Sequence, residues 1–153
     1  ILKELRCPFI INQNCYSILN RSIEQNGLKE MSKELGKGII AFSPLAQGML
    51  TDRYFNGIPQ DSRIRTDGRF LKESSLGEGT MKKIRALAEM AAERGQSLAQ
   101  MALAWILRDG IVTSVLAGAS KPEQILNNIK AIKNTSFDAE ELQRIEDICN
   151  WAN

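Results

Sequence analysis

The chain has 153 residues, enough for one domain with a buried core, and 43% of them are apolar. Its 20 basic and 18 acidic residues leave a net charge of +2, so no basic field suggests a nucleic acid as partner. No apolar run reaches the roughly 20 residues of a membrane span. The sequence contains no histidine, which excludes a histidine-dependent triad and a histidine-ligated metal within it.

The start of the chain and its cysteines indicate a cellular setting. Residues 1–6 are charged and helical in pattern, unlike a signal peptide. They lack an initiator methionine, so we expect the chain to begin inside a longer protein. Cys7, Cys15 and Cys149 are odd in number and lack the spacing of metal ligands. A reducing, cytoplasmic setting fits this use of cysteine best.

Apolar periodicity and capping residues predict short strands alternating with helices. After a helix tail at residues 1–6, the predicted strands are residues 9–11, 38–42 and 113–117. The predicted helices are residues 21–35, 80–94, 98–108, 122–132 and 139–148. Apolar residues recur at helical spacing in the first of these, at Leu28, Met31 and Leu35. Helix starts are indicated by Ser97, Pro122 and Asp138, and helix ends by Gly36, Gly95 and Gly110.

The order of these elements predicts a parallel sheet, because each strand is followed by one or two helices. Right-handed crossovers leave two architectures, a doubly wound sheet or a barrel. Three strands cannot close a barrel of this kind, which needs eight strands and typically about 250 residues. We therefore expect further strands upstream or in a partner chain.

Candidate site residues follow the predicted strands, since parallel α/β folds bind ligands at the carboxyl ends of their strands. Gln13 and Asn14 follow the first strand and could orient a flat heterocycle, or simply satisfy loop backbone. Phe42 ends the second strand and could stack on a ring, or belong to the core. Residues 118–124 lead from the third strand into a helix, an arrangement that binds anions.

The irregular segment at residues 45–79 is long enough to indicate either a functional loop or disorder. It carries four arginines, Arg53, Arg63, Arg65 and Arg69. Such a loop beside an anion site could close over phosphates. The alternative is that most of these arginines are ordinary surface residues.

Four segments in this order resemble the C-terminal part of the aldo-keto reductase family, in the branch that includes potassium channel β-subunits and bacterial aldehyde reductases. They are residues 11–16, 42–51, 57–63 and 118–128, and residues 97–105 fit the family's helix before its last strand. The resemblance covers nearly the whole chain. It implies an α/β fold, the (β/α)8 TIM barrel, of which residues 1–153 would form the C-terminal portion: strands six to eight and the C-terminal helix.

The resemblance also implies NADP as cofactor, bound as NADPH in extended form without a Rossmann fold. Gln13 would then bond the nicotinamide carboxamide, and Phe42 would stack on the nicotinamide ring. The phosphates would meet a turn and two loop arginines, namely Ser43, Pro44, Leu45, Gln47, Arg53 and Arg63. The 2′-phosphate and adenosine would meet Gly118, Ser120, Gln124, Asn127 and Asn128. Two of these, Gln124 and Asn127, replace an Arg and a Glu found elsewhere in the family, and the missing guanidinium softens the preference for NADP over NAD.

No catalytic residue and no metal ligand is expected in this chain, because the family's Asp, Tyr, Lys and His tetrad lies on its first four βα units. Tyr16 and Tyr54 sit in other motifs and are not expected to act as the acid. The complete barrel would reduce a small carbonyl substrate, an aldehyde or ketone, to the alcohol by hydride transfer. The alternatives are a non-catalytic nucleotide-binding or regulatory subunit of the channel β type, or an inactive truncated fragment.

The chain alone is expected to lack reductase activity. A three-stranded parallel sheet leaves an open edge and an uncovered face. We therefore expect the chain to combine with the missing N-terminal half of the barrel, or else to self-associate and be partly molten.

Overall fold

The computed structural model describes residues 4–6, 8–69 and 71–151, with only the backbone of Arg63. The strands are β1 (Ile11–Cys15), β2 (Gly38–Phe42) and β3 (Val112–Leu116). The helices are α1 (Ser22–Gln25), α2 (Leu28–Glu34), α3 (Arg63–Thr66), α4 (Glu78–Glu93), α5 (Leu98–Leu107), α6 (Pro122–Ile129) and α7 (Ala139–Asn150). Short 3-10 turns occur at Ala46–Gly48, Asp52–Tyr54, Glu73–Leu76 and Lys130–Lys133.

The three strands form one parallel sheet in the order β1–β2–β3, as the alternation of strands and helices predicts. Cys15 lies opposite Phe42, and Phe42 lies opposite Leu116. The carboxyl ends of all three strands therefore meet at one edge of the sheet. The turns that follow them are brought together there.

The two faces of the sheet differ in burial, because successive side chains of a strand point to opposite faces. Ile39 and Ala41 of β2 are fully buried and belong to the main core with α4, α5 and α7. On the opposite face, Ile11 and Phe42 are each 39% exposed and Leu116 is 49% exposed. We call this second side the open face of the sheet.

The core is built mainly around α5, which is apolar on nearly every side. All its residues from 101 to 106 are buried, as expected of a helix without a polar face. Trp105 lies at the centre, with its ring 5.3 Å from that of Tyr16. Among the described residues, no helix combines the length and apolar character of a membrane span.

The first strand begins later than predicted. Phe9 and Ile10 precede β1, and Ile10 is 75% exposed, so the prediction of a buried strand at residues 9–11 is wrong. The strand that pairs with β2 instead spans residues 11–15, three of which have polar side chains. One of them, Asn12, is satisfied inside the strand by donating to Ser32 Oγ (3.2 Å) and to the Gly38 carbonyl (3.1 Å).

The predicted helix at residues 21–35 is two helices, because Gly27 has a left-handed φ of 77° between them. Two of its apolar residues do not face the core: Met31 is 52% exposed and Leu35 is 60% exposed. The buried positions of α2 are instead Lys29 and Ser32. Residues 4–6 form a turn rather than a helix end, and residues 1–3 lie outside the described residues.

The third strand is displaced by one residue from its prediction. It spans Val112–Leu116, and an irregularity in its pairing with β2 leaves Thr113 as an extra residue, since Ile39 pairs with Val112 but Ile40 pairs with Ser114. The helix predicted at residues 122–132 ends at Ile129 and continues as a 3-10 turn.

Several local predictions are confirmed. β2 has the predicted bounds. Ser97 and Asp138 cap α5 and α7, and each forms a reciprocal capping box with the residue three positions on. The three glycines that mark helix ends all have a positive φ, at Gly36, Gly95 and Gly110. In the described part of the segment at residues 45–79 the chain forms short turns and α3, and Leu50, Tyr54 and Leu71 are buried.

Candidate functional site

The open face of the sheet carries the two residues predicted to meet a flat ring. Gln13 lies on β1 opposite Ile40, two residues before Cys15, which pairs with Phe42. Side chains two residues apart on a strand share a face, so Gln13, Cys15 and Phe42 all lie on the open face. Phe42 is 39% exposed and is therefore not an ordinary core residue.

Two further residues of this face have no special sequence signal. Leu116 pairs with Phe42 and extends the apolar surface beside its ring. Cys15 accepts a long hydrogen bond from Asn20 Nδ2 (3.5 Å), and partial burial raises the pKa of its thiol, so it stays neutral at pH 7. Strand parity could have identified both residues, but only once the correct bounds of the strands were known.

The turn after β2 has an unusual backbone. Ser43, Ala46 and Gln47 have φ values of 52°, 46° and 58°, a region that residues with a Cβ rarely enter. Each such residue costs roughly 1–3 kcal/mol and persists only where the surroundings hold it. Here Leu45 packs against the core, and its carbonyl accepts from the amides of Gly48 (2.9 Å) and Leu50 (3.2 Å).

The turn after β3 directs several donors at one oxygen. Gln124 Oε1 accepts from the amide of Ser120 (2.8 Å), the amide of Lys121 (3.2 Å) and the Ser120 hydroxyl (3.3 Å). A Cβ on Gly118 would meet nothing within 4 Å, so the chain itself does not require glycine there. Donors converging at a helix start suit an anionic oxygen, and here a neutral amide oxygen accepts them.

The predicted adenine residues differ in their surroundings. Asn127 joins α6 to the start of α5: its Nδ2 donates to Ser97 Oγ (3.2 Å), and its Oδ1 accepts from Gln100 Nε2 (2.7 Å). Asn128 is half-buried. A contact between Asn127 and a ligand would require breaking or sharing this bridge.

The structure describes the contacts of only one of the two predicted phosphate-binding arginines, Arg53. Arg53 Nη2 bonds the carbonyl of Asp61 (3.1 Å) and pairs with its carboxylate (3.0 Å). The Arg63 side chain lies outside the described part of the structure. Pro44, which lies between Ser43 and Leu45 in the turn after β2, is buried. The predicted clamp therefore stays a prediction.

A buried ionic cluster lies on the covered side of the sheet. The Tyr16 hydroxyl donates to Glu24, and Arg108 donates to both, at 3.2 Å to Tyr16 and 3.1 Å to Glu24. Lys29, which is 6% exposed, pairs with Asp109 at 2.6 Å and also bonds the Tyr16 oxygen at 3.2 Å. The members of this cluster are separated by up to 93 positions, so no local sequence pattern predicts it.

Burial and hydrogen bonding set the ionisation of this cluster. Burial raises the pKa of Tyr16, which is fully enclosed, so its phenol stays protonated at neutral pH. Burial alone would also raise the pKa of Glu24, but hydrogen bonds from Tyr16, Arg21 and Arg108 outweigh it and lower that pKa to about 2. Tyr54 is only 4% exposed. Neither tyrosine is placed to give a proton to a ligand on the open face.

The Phe42 ring and the donor-rich turn after β3 thus lie at one edge of the sheet, and the Gln13 amide lies further back on the same open face. This donor set fits a ligand with a flat ring and phosphate groups. Within the described residues, no group of three or more Cys, Asp or Glu side chains is arranged to hold a metal ion.

Known proteins are similar to this chain in both sequence and fold. The model of the aldo/keto reductase family matches residues 1–150. The chain is 48% identical over 149 residues to L-glyceraldehyde 3-phosphate reductase of Escherichia coli K12, covering 95% of this chain and 43% of that protein. It is 33% identical over 146 residues to a voltage-gated potassium channel subunit beta-like protein of Schizosaccharomyces pombe, covering 93% of this chain and 42% of that protein.

Solved structures of related proteins have a similar fold. A glycerol dehydrogenase of Gluconobacter oxydans superimposes with a TM-score of 0.72 at 25% identity, covering 90% of this chain and 41% of that one. The fold of an aldo-keto reductase of Bacillus halodurans, at 24% identity, matches with a TM-score of 0.68, covering 99% of this chain and 47% of that one. The chain spans less than half the length of each of these proteins, and its sheet is part of a TIM barrel. The chain belongs to the aldo/keto reductase family.

Proposed function

We propose that this chain is the cofactor-binding part of an NADPH-dependent oxidoreductase that reduces aldehydes or ketones to alcohols. In this proposal the acid–base residues lie outside the chain, in the βα units that precede it in the barrel. The observation that carries the proposal is that Gln13 and Phe42 share the open face of the sheet, with the donor-rich turn after β3 at the carboxyl ends of the strands. Members of the family generally bind NAD(P)H, which supports the choice of ligand.

When bound, NADPH supplies the hydride for carbonyl reduction. The residues of this chain bind and orient it. The ring of Phe42 would pack against the nicotinamide, and the Gln13 amide would fix the nicotinamide's rotation through its carboxamide. The turns at residues 43–47 and 118–124 would hold the phosphate groups. Holding the reacting groups in the correct orientation in this way lowers the activation barrier.

Two observations support a division of labour in which this chain lacks the acid. The sequence contains no histidine. Its two tyrosines are enclosed: Tyr16 in the ionic cluster is 0% exposed, and Tyr54 in a 3-10 turn of the long loop is 4% exposed. Free thiols at Cys15 and Cys149 also fit the reducing cytoplasmic setting that we propose for the protein.

A second function is favoured by one comparison. The similarity to a potassium channel subunit beta-like protein supports a nucleotide-binding regulatory role without turnover. Both functions require the same cofactor site. They differ in whether the complete protein consumes NADPH when an aldehyde is supplied.

Replacement of Phe42 by alanine tests the proposed site. Stacking of an aromatic side chain on a flat heterocycle is worth about 1–3 kcal/mol, so Phe42→Ala should weaken NADPH binding roughly tenfold. Binding is measured by energy transfer from tryptophan to NADPH. Gln143→Ala, on the exposed face of α7, is the matched control and should bind as the unaltered chain does. No saturable binding by the unaltered chain, or equal binding by Phe42→Ala, would contradict the proposal.

A further inference from the structure

Tyr16 directly follows β1, and its side chain belongs to the main core on the covered side of the sheet. It is fully buried, and its ring centre lies 5.3 Å from that of Trp105. Its hydroxyl donates to Glu24 and accepts from Lys29 Nζ (3.2 Å) and Arg108 Nη1 (3.2 Å). These partners lie on α1, on α2 and at the end of α5, so one oxygen joins three helices to the end of β1.

Ion pairs further out hold the partners of this hydroxyl in place. Lys29 pairs with Asp109 at 2.6 Å, and Glu24 pairs with Arg21 at 2.6 Å. Arg21 also pairs with Glu146 of α7. Each charged group next to the Tyr16 oxygen therefore has an opposite charge beside it, and the position of that oxygen is fixed by the whole ionic cluster.

Stability alone does not explain a charged cluster around this ring. Burying charges costs free energy that their pairing only roughly returns, and apolar side chains of similar volume are often as stable. A phenylalanine at position 16 would keep the contact with Trp105 and fill nearly the same space. The hydroxyl adds direction, because its hydrogen bonds hold the ring in one position.

The backbone carries this constraint to the open face of the sheet. The amide of Tyr16 donates to the carbonyl of Phe42 (3.3 Å), one residue beyond the last strand pair, Cys15 with Phe42. This bond holds the end of β2 at the point where the chain enters Ser43, whose φ is 52°. Gln13 lies three residues earlier, on the strand that Tyr16 anchors.

We propose that Tyr16 is a positioning residue for the nicotinamide end of the cofactor. Its hydroxyl, held by the ionic cluster, fixes the end of β1, and its amide sets the Phe42 ring relative to the Gln13 amide. This role rests on the proposed function, in which the nicotinamide lies against Phe42 and Gln13. Tyr16 itself touches no ligand and acts through the two residues that do.

The other end of the cofactor provides an internal reference. In the proposed function the adenosine and its 2′-phosphate meet the turn after β3, and β2 separates β3 from β1. Adenosine 2′,5′-bisphosphate carries that part of the cofactor and has no nicotinamide. A residue that positions the nicotinamide should change the binding of NADPH and not of this fragment. A residue that only stabilises the fold should change the binding of both.

The test is calorimetric titration of the chain with NADPH and, separately, with adenosine 2′,5′-bisphosphate. Tyr16→Phe should weaken NADPH binding roughly three- to fivefold, less than removal of the Phe42 ring, because the ring is displaced rather than lost. Binding of the bisphosphate should not change. Glu24→Gln loses the charge but keeps an oxygen that can accept from Tyr16, so it should show the same selectivity with a smaller loss.

Glu141→Gln is the matched control. It removes a carboxylate from a second partly buried ion pair, with Arg94, and Glu141 and Glu24 are 23% and 20% exposed. This variant should bind both ligands as the unaltered chain does. Circular dichroism shows whether each variant is folded, and Glu24→Gln decides the matter if Tyr16→Phe is not.

Two results from a folded variant would overturn the inference: unchanged NADPH binding, or an equal loss of binding for both ligands. The second result would show that the ionic cluster acts on stability alone. An unaltered chain that binds neither ligand would instead refute the proposed function, and the role of Tyr16 would fall with it.

Discussion

Tyr16 connects the ionic cluster to the candidate site. Its amide donates to the carbonyl of Phe42 (3.3 Å), which ties the end of β1 to the end of β2. Its hydroxyl lies among Glu24, Lys29 and Arg108 on the covered side of the sheet. Buried charges are stable only when they are paired and hydrogen-bonded. This residue therefore links the stability of the cluster to the geometry of the strand ends.

Ionisation of Glu24 should make the stability of the chain depend on acid pH. Its carboxylate is 20% exposed, and its pKa falls from 4.5 in the unfolded chain to about 2 in the folded one. A lowered folded pKa gives stability that is present above pH 4.5 and is lost as the pH falls toward 2. The shift corresponds to at most about 3 kcal/mol.

Glu24→Gln should therefore be less stable than the unaltered chain at pH 7, and the difference should shrink as the pH approaches 2. Unfolding in urea followed by circular dichroism, repeated across this range, gives the free energy of unfolding. Glu30→Gln alters an exposed surface pair on α2 and should change little. A pH-independent gap between Glu24→Gln and the unaltered chain would refute the assignment.

Strand positions were partly predictable at the level of single residues, and the roles of the site residues stay predictions. Gln13 and Phe42 were predicted as site residues because one follows and the other ends a predicted strand. The structure places both on the open face, with Phe42 at the end of β2 and Gln13 in the middle of β1. Strand ends could not indicate that Gln124 would fill the donor turn with its own amide, or that Asn127 would join α5. Those contacts depend on side-chain geometry, which the order of residues does not determine.

Capping boxes set the bounds of the elements most reliably. Ser97 Oγ accepts from the amide of Gln100 (3.3 Å), and Gln100 Oε1 accepts from the amide of Ser97 (3.1 Å). Ser97 also accepts from Asn127, so this one hydroxyl serves both the start of α5 and its contact with α6. The bonds are local, which is why the sequence predicted this boundary correctly.

Ser97→Ala should destabilise the chain by about 1 kcal/mol, because α5 loses its N-cap. The urea midpoint at pH 7 should fall while the slope of the transition is retained. Ser74→Ala, in an exposed 3-10 turn without a side-chain cap, is the control and should leave the midpoint unchanged. An unaltered midpoint for Ser97→Ala would show that the cap contributes nothing to folding.

Element predictions failed where tertiary contacts decide the outcome. The burial of Lys29 depends on the ionic cluster, in which its partner Asp109 is 80 residues away in sequence. The apolar spacing of Met31 and Leu35 does predict a helix face, but that face lies away from the core of this chain. An apolar helix face that lies away from the core cannot be told from a core face in the sequence.

At the scale of the whole molecule, the chain is part of a barrel, and its sheet has one covered face and one open face. The proposed cofactor residues lie on the open face and in the turns at the carboxyl ends of its strands. No histidine is present in the sequence, and both tyrosines are enclosed. Our proposal for the whole molecule is that this sector holds NADPH and that the rest of the barrel supplies the proton donor.

The most direct test is a measurement of NADPH consumption with a small aldehyde, followed by absorbance. The chain, the complementary portion of E. coli L-glyceraldehyde 3-phosphate reductase, and a mixture of the two are assayed in parallel. We predict no turnover above blank for either polypeptide alone and measurable turnover for the mixture. Turnover should fall when the mixture contains the Phe42→Ala variant of the chain. Turnover by the purified chain alone, or an inert mixture in which sedimentation shows the complex formed, would contradict it.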